Sequence, residues 1–396
     1  MITIQSVDSA LKNIYLESVI NDINTKTNPF LTMVQKNSKT VSGKEARALI
    51  RFGNLGSVSA GHEGGELPVN QGMSAEIVTT LKNLYGTFQI SDKAIRSAQN
   101  SPGAFSSLIS NEMLNLVGTA QRNLNGMLYG NGMRYLGHTL TVEASAVTVP
   151  ARYIGNFATG QRFRILTANN AVLGTVTAGA ITSTGNTHRV AFSGAFTNVN
   201  HDRYYLFADE DNIELSGIDR IFRHDTLYNL PIATNREILP CIVTDTVTGT
   251  QQVLNEAEIM RFFTAYEEHN QSMPADILLT HPNVRRAIFE ELKNLRTNVD
   301  AAELAGGFKG FTFNGLPVYS DMKCRPGTMY ALNSDSWGMH QLCDWTWLSG
   351  DDGGVLKQID GKAGYNATLV KYADLLCDKP FLQGKVTNFS ANRFTN

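Results

Sequence analysis

Apolar residues recur at helical spacing in two stretches of the N-terminal third of the chain. The first stretch runs from Ser6 to Ile23 and stops before Asn28-Pro29, which predicts a helix followed by a break. The second begins at Ser101-Pro102, where serine can cap a helix and proline suits its first position. Its period continues to the glycines at 130 and 132, which predicts a helix of about 28 residues, or about 42 Å.

The segment between these two helices has the pattern of two strands that flank a long glycine-rich excursion. Residues 44–53 and 76–90 carry β-branched and aromatic side chains, whereas residues 53–72 are rich in glycine. Such a loop is uncommon in a compact domain and is usually functional or disordered. A lone two-stranded hairpin is only marginally stable in water. We therefore expect the hairpin to be stabilised on another surface, with a neighbouring copy of the chain as first candidate.

Composition changes sharply after the second helix. Residues 137–208 contain no lysine and consist of short alternating segments separated by turn-rich pieces. The alternating segments lie at 139–142, 147–149, 162–166, 174–177, 189–192 and 204–207. Several short strands at this spacing predict a small antiparallel barrel or sandwich, inserted into a larger host.

The host resumes at Ile213 with helices and strands in mixed order. Helical patterns occupy residues 254–269 and 282–296, and strand patterns occupy residues 277–280, 316–319, 328–332 and 365–376. Because the strands do not alternate strictly with helices, the fold class is α+β rather than a doubly wound sheet.

Composition favours a soluble protein whose surface is partly covered by other protein. The 396 residues carry a formal net charge of −2, and 18% of them are charged, below the ~25% usual for soluble domains. Near-neutral charge argues against a dedicated nucleic-acid binder. The four cysteines form no CxxC pair, so neither a zinc site nor a redox motif is indicated. Neither a secretory signal nor a membrane-spanning apolar run is present in the sequence.

The sequence contains no convincing catalytic pattern. His62-Glu63-Gly64-Gly65-Glu66 partly resembles a zinc-protease motif, but a glutamate stands where the second histidine should be. The Gly-Lys pairs at 43, 361 and 384 lack the flanking residues of a phosphate-binding loop. No GxSxG or GxGxxG sequence occurs. We therefore predict that the protein is not an enzyme and needs no cofactor or metal.

The order of these segments resembles that of the major capsid proteins of tailed bacteriophages, which have the Hong Kong 97-type fold. The shared order is an arm, a long hairpin, a strand ending in QISDKAI, a capped helix ending in LNGMLYGNG and an α+β lobe. Within the lobe, DILLTHPNVRRAIFEEL, FTFNGLPVYSD, TMYALNSDSW and KAGYNATLVKYADLLCDKPF are similar to the family's strand–helix and closing-sheet segments.

The resemblance implies six regions along the chain. They are an N-terminal arm (1–35), an extended hairpin loop (36–92), a peripheral domain whose spine is the long helix (93–136), an inserted β-domain (137–211), a mainly axial domain (212–350), and the closing strands of the peripheral and axial domains (351–396).

The resemblance also implies a structural function. The protein would self-assemble in the bacterial host cytoplasm into an icosahedral shell of pentamers and hexamers, the virion capsid, around double-stranded DNA. Expected partners are other copies, a separate scaffolding protein, the portal, a decoration protein and DNA held without sequence recognition; no membrane is involved. Candidate contacts between subunits are Asn28, Pro29, Arg47, Arg51, Glu63, Glu66 and Lys82.

Two other interpretations remain open. An encapsulin-type compartment shell would be built from the same kind of tile without DNA. A secreted adhesin or carbohydrate-binding protein could carry the inserted β-domain on its surface. That second class predicts a signal peptide or clustered carboxylates, and the sequence shows neither pattern.

Overall fold

The computed structural model describes most of the chain. The described residues are 16–37, 40–52, 73–98, 102–168, 170–197, 203–211, 213–222, 226–231, 238–244, 252–253, 256–270, 275–294, 301–304, 308–349, 354–387 and 389–390. Their α-helices are α1 (Leu16–Lys26), α2 (Pro29–Met33), α3 (Asp92–Ala98), α4 (Pro102–Leu128), α5 (Glu256–Asn270) and α6 (Pro282–Asn294).

The strands are short and numerous, and most of them belong to three large sheets. In chain order they are β1 (Gln35–Asn37), β2 (Val41–Ser42), β3 (Glu45–Phe52), β4 (Met73–Thr80), β5 (Lys82–Ser91), β6 (Tyr135–His138), β7 (Thr141–Val142), β8 (Ala146–Pro150), β9 (Arg162–Leu166), β10 (Val172–Thr184), β11 (Thr187–Ser193), β12 (Tyr205–Ala208), β13 (Thr226–Leu227), β14 (Leu230–Pro231), β15 (Cys241–Thr244), β16 (Gln252–Val253), β17 (Ile277–Thr280), β18 (Ala301–Leu304), β19 (Phe308–Phe313), β20 (Leu316–Ser320), β21 (Met329–Leu332), β22 (Trp337–Trp347), β23 (Lys357–Gln358), β24 (Gly364–Cys377), β25 (Gly384–Thr387) and β26 (Phe389–Ser390).

The predicted long helix is confirmed as α4, which has 27 residues and would span about 40 Å. It packs against β5, where Leu116 lies so close to Gly86 that a β-carbon there would meet its side chain at 3.0 Å. β5 belongs to the first sheet, called here the core sheet, in which β24 pairs with β5, β22 and β23 while β1 pairs with β22. Leu84, Phe88 and Ile90 are buried on the helix side.

The second sheet contains seven strands in the order β15-β25-β21-β17-β20-β19-β18, with both parallel and antiparallel neighbours. All four residues of its central strand β17 are buried, as expected for a strand covered on both faces. Buried residues of α5 and α6 share one apolar cluster with this sheet. The mixed pairing confirms the predicted α+β class.

The third sheet has the strand order β6-β12-β9-β10-β11-β8-β7 and is called here the barrel, because the residues that join its two end strands hydrogen-bond to residues near both ends of that order. Its end strands β6 and β7 are consecutive, and the residues between them bridge the gap: Thr139 N donates to Tyr204 O and Leu140 N to Thr148 O. Apolar side chains such as Phe163 and Leu206 fill the interior. The chain enters and leaves at one place, because Glu214 N donates to Gly132 O at 3.4 Å.

The hairpin differs from its predicted form in two ways. The strand pattern at 76–90 is broken at Leu81, so only β4 pairs with β3 while β5 pairs with β24 in the core sheet. The described part of the hairpin also packs on its own chain: Ala46, Ile50 and Ile77 are completely buried. The expectation that the hairpin lacks a packing partner within its own chain is therefore wrong for this part.

The predicted N-terminal helix is confirmed only in its second half. α1 covers Leu16–Lys26 and buries Val19 and Ile23. The rest of the predicted stretch, and the glycine-rich residues 53–72, lie outside the described residues.

Candidate functional site

The described part of the chain offers no metal centre. It contains no group of three or more histidine, cysteine or carboxylate side chains placed to hold an ion. The motif at His62–Glu66 lies outside the described residues. None of the helices in the described ranges is long and apolar enough to cross a bilayer. The polar features of interest are therefore the outer face of the hairpin and four clusters that join parts of the chain.

The outer face of the hairpin is charged and exposed. Arg47 donates to Glu45 at 3.0 Å and to Glu76 on the facing strand at 3.3 Å. The hydrogen bond that Arg47 donates to Glu45, and the charge of Glu76, raise the pKa of Arg47. Leu49 on the same face is 52% exposed. Exposed ion pairs stabilise a fold only weakly. Arg47, Leu49 and Arg51 on this face are left exposed by their own chain.

The other candidate contact residues are placed differently from one another. Arg51 is exposed on the outer face of the hairpin. Asn28, Pro29 and Lys82 are covered by their own chain, Lys82 with 5% of its surface accessible. Glu63 and Glu66 lie outside the described residues.

Asn28 joins the segment between α1 and α2 to the long helix α4 and to the loop that follows β20. Its Oδ1 accepts from Phe30 N at 2.8 Å and so caps α2. Its Nδ2 donates to Asn125 Oδ1 on α4 at 2.6 Å, and Asn125 donates to Asp321 Oδ2 at 2.7 Å. Burial raises the pKa of Asp321, and the bond from Asn125 opposes that rise. Asn28 is thus an internal connector.

A second cluster ties the arm to the core sheet through Asp344. Its Oδ2 accepts from Lys36 at 3.0 Å and from Asn24 at 3.2 Å, while its Oδ1 accepts from the buried Lys371 at 2.7 Å. Burial alone would raise the pKa of Asp344, but Lys371 and Lys36 outweigh it and lower that pKa to about 2. Asp344 is therefore ionised at neutral pH.

A third cluster, called here the Asp374 clasp, lies where the chain passes from the hairpin to the core sheet. The fully buried Asp374 on β24 accepts from Thr79 Oγ1 at the end of β4. It also accepts from Ser216 N at 2.7 Å and Ser216 Oγ at 2.9 Å. Burial raises the pKa of Asp374, whereas Lys82 and the bonds from Thr79 and Ser216 lower it.

A fourth cluster, the Asp219 cluster, lies in the middle of the molecule with one anion and two cations. Asp219 Oδ1 lies 2.7 Å from Lys385 Nζ, and Asp219 Oδ2 lies 2.6 Å from Arg325. Tyr330 donates to Asp219 at 2.8 Å. Burial opposes ionisation of Asp219, but Arg325 and Lys385 outweigh it and lower its pKa.

The same cluster contacts the barrel. Lys385 and Arg325 both donate to Ala168 O, at 3.2 Å and 3.4 Å. The Arg325 guanidinium also lies over the rings of Tyr205 and Phe207, about 5 Å from each centroid. One buried charge group therefore joins the barrel, the second sheet and the segment between them.

Two buried histidines lie near the junction of the barrel and the second sheet. His138 is on β6, and His281 directly follows β17. Burial, followed by the charges of nearby arginines, lowers the pKa of His138 to about 3 and that of His281 to about 4. Both are neutral near pH 7, when Asn283 N donates to His281 Nδ1.

Reading the sequence missed these buried clusters, although one local signal was present. Lys371 and Asp374 interrupt the otherwise apolar segment LVKYADLLC. Charged residues are almost never fully buried without a partner. A charge within a buried strand pattern therefore predicts an internal pair, but not its partner.

Comparison with known proteins gives matches in structure alone. No protein-family model and no curated protein matches the chain. A chain of the cyanophage A-1(L) capsid is 14% identical, with 92% of this chain and 93% of that chain covered and a TM-score of 0.53. The holo-SrpI encapsulin of Synechococcus elongatus is 12% identical (94% and 91% covered, TM-score 0.44), and a Mycobacterium phage Bobi structure is 10% identical (98% and 98% covered, TM-score 0.44).

The likeness to the cyanophage capsid chain extends over nearly the full length of both proteins. It shows that this chain has the Hong Kong 97-type fold of tailed-phage major capsid proteins. The resemblance deduced from the order of sequence segments is thereby confirmed at the level of the fold.

Proposed function

We propose that the protein is the major capsid protein of a tailed bacteriophage, which assembles into an icosahedral shell of pentamers and hexamers around double-stranded DNA. The observation that carries this proposal is the full-length fold match to a phage capsid chain.

Assembly requires that each copy offers unlike surfaces to its neighbours, because such contacts close into rings when the rotation permits. The outer face of the hairpin supplies one suitable surface, with Arg47, Arg51 and Glu76 beside the half-exposed Leu49. Glu63 and Glu66 on the same loop remain candidates for the contact. Each exposed ion pair contributes only about 0–1 kcal/mol. The shell would therefore be held by many such contacts in sum.

The net charge of the chain bears on what the proposed shell encloses. A formal net charge of −2 suits a wall that encloses DNA better than a protein that binds it tightly. A scaffolding protein and a portal are the partners proposed for assembly, and a decoration protein is the partner proposed for the outer surface. The inserted position of the barrel within the capsid fold is also part of this proposal.

The test is to express the full chain in bacteria and image the purified material by negative-stain electron microscopy. Closed shells of uniform size are the expected result, because the fold is that of a shell subunit. Nuclease-resistant DNA should accompany shells that are formed in the presence of the remaining head proteins. Shells that instead retain a co-expressed enzyme and exclude DNA would favour a compartment shell. Soluble monomers with the scaffolding protein present would overturn the proposal.

A further inference from the structure

The hairpin and the segment that leaves the barrel share one buried carboxylate. Asp374 lies on β24 of the core sheet, between Thr79 at the end of β4 and Ser216 in the segment after β12. Its carboxylate accepts three hydrogen bonds from these two residues. Thr79 and Ser216 therefore depend on the same acceptor although they belong to different parts of the chain.

The clasp lies at the point where the chain passes from the small sheet of the hairpin (β2–β4) to the core sheet. β4 ends at Thr80 and β5 begins at Lys82, and only Leu81 separates the hairpin sheet from the core sheet. Lys82 is buried beside Asp374, and burial lowers the pKa of Lys82 while the charge of Asp374 raises it. The clasp holds β4 together with a second contact, in which Val78 N donates to Asn229 Oδ1 at 2.8 Å.

The clasp is continuous with the Asp219 cluster. Ser216 is followed by Gly217 and the short helical turn Ile218–Arg220, which carries Asp219. That turn is rigidly placed, because a β-carbon at Gly217 would lie 2.3 Å from Met127 O at the end of α4. Through Arg325 and Lys385, Asp219 reaches Ala168 of the barrel. Buried polar contacts thus run from the barrel to the hairpin.

We infer that Asp374 couples the position of the hairpin to that of the barrel-exit segment 213–217, so that loosening one loosens the other. The physical reason is that two sets of donors orient one buried carboxylate. When Ser216 Oγ is removed, the carboxylate is less constrained and its bond to Thr79 weakens. The inference concerns the single subunit and does not require a shell.

The test is hydrogen exchange on the unassembled full chain, comparing Ser216→Ala with the wild type. Ser216 does not contact the hairpin strands in any hydrogen bond described above, yet the amides of β3 and β4 should exchange about tenfold faster in the variant. That factor corresponds to partial loss of a hydrogen bond to a charged group. Ser145→Ala, a serine-to-alanine change in the barrel itself, is the matched control and should leave the hairpin amides unchanged. Equal exchange of the hairpin amides in Ser216→Ala and the wild type would overturn the inference.

A double-mutant cycle that combines Ser216→Ala with Thr79→Val gives an independent measurement. Val keeps the shape and strand propensity of threonine but cannot donate, and Thr80→Val is its control on the exposed side of the same strand. If Asp374 couples the two segments, Thr79→Val should speed exchange at Leu215–Ile218, and the double variant should show less than the sum of both effects. Additive effects confined to each mutated segment would contradict coupling. Neither result depends on particle formation, so the proposed function is judged separately.

Should Ser216→Ala not fold, Thr79→Val carries the test alone, with Thr80→Val as its control. Exchange should rise at Leu215–Ile218, which Thr79 does not contact in any hydrogen bond described above. A rise confined to β3 and β4 would exclude coupling.

Discussion

Lys385 and Asp219 lie 2.7 Å apart, Nζ to Oδ1, with both side chains completely excluded from solvent. Arg325 approaches the other carboxylate oxygen, so a single buried anion faces two cations. The desolvation of such charges is offset only when each finds a close partner. The three residues therefore differ in how much the cluster depends on them. Each cation has Asp219 as its anion, whereas Asp219 keeps one cation when the other is removed.

We predict that Asp219→Asn destabilises the subunit far more than Lys385→Met does. The first change leaves two buried cations without an anion and should lower the free energy of unfolding by about 3–5 kcal/mol. The second leaves Asp219 with Arg325 and Tyr330, so its cost near neutral pH should be about 1 kcal/mol or less. Urea unfolding of unassembled protein measures both. Equal losses in the two variants would contradict the unequal dependence.

The stability of the wild type should rise relative to Lys385→Met as the pH is raised above about 8. Burial, helped by Arg325 and opposed by Asp219, lowers the pKa of Lys385 from 10.5 to about 8. Between these values the unfolded chain holds a proton that the folded chain has released, so the free energy of unfolding rises with pH. The rise should approach about 2 kcal/mol over two pH units. A difference between wild type and variant that stays flat across this window would contradict the prediction.

Asp344 should stabilise the arm in a way that acid removes. Its pKa is about 2 in the folded chain, below its ordinary value of 3.8. The contribution is therefore present above about pH 3.8 and is lost as the pH falls towards 2, and it amounts to about 2 kcal/mol. Wild type and Asp344→Asn should differ in unfolding free energy near pH 6 and converge in acid. Asp335→Asn, at an exposed carboxyl, is the control and should show little difference at either pH.

Removing the barrel should leave a folded host. Gly132 and Glu214 are hydrogen-bonded neighbours, so residues 133–213 can be replaced by a short linker. The cut also removes Tyr205, Phe207 and the Ala168 carbonyl from Arg325, so Arg325→Met should accompany it. Soluble expression and far-UV circular dichroism test the outcome. Complete insolubility of the excised chain with and without Arg325→Met would show that the barrel is part of the main core.

Deleting residues 56–72 should prevent closed shells without unfolding the subunit. The described hairpin base stays anchored through Thr79 and through Val78 N, which donates to Asn229 Oδ1 at 2.8 Å. The deletion leaves these two contacts of the hairpin base in place, so the subunit should still fold. Thermal unfolding should change little, whereas electron micrographs should show no normal particles. Replacing the loop with a Gly/Ser linker of equal length separates the effect of length from that of sequence. Normal particles from both variants would remove the loop from the assembly mechanism.

Elements with strong local signals could be predicted from the sequence. α4 has a serine–proline start, a sustained period and a glycine stop, and β17 is a short apolar run before a proline. The division at Leu81 could not be predicted, because 76–90 has one continuous strand pattern. Only pairing with β24, whose register joins Lys82 to Ala373, assigns β5 to another sheet.

The buried clusters depend on contacts between distant positions. Asp219, Arg325 and Lys385 come together from a turn, a loop and a strand, and none of these segments has a motif that names its partner. The exposed Arg47, by contrast, pairs with Glu45 two positions away and with Glu76 across the hairpin. Its place in the strand pattern was enough to make it a candidate for contacts between subunits. Ion pairs between residues far apart in the sequence could not be predicted from it.

The adjacent entry and exit of the barrel give the host a natural splice point. A foreign folded module whose own termini lie close together could be exchanged for the barrel while the path of the remaining chain stays unchanged. An engineer could use this point in the chain to attach an antigen or an enzyme to the fold.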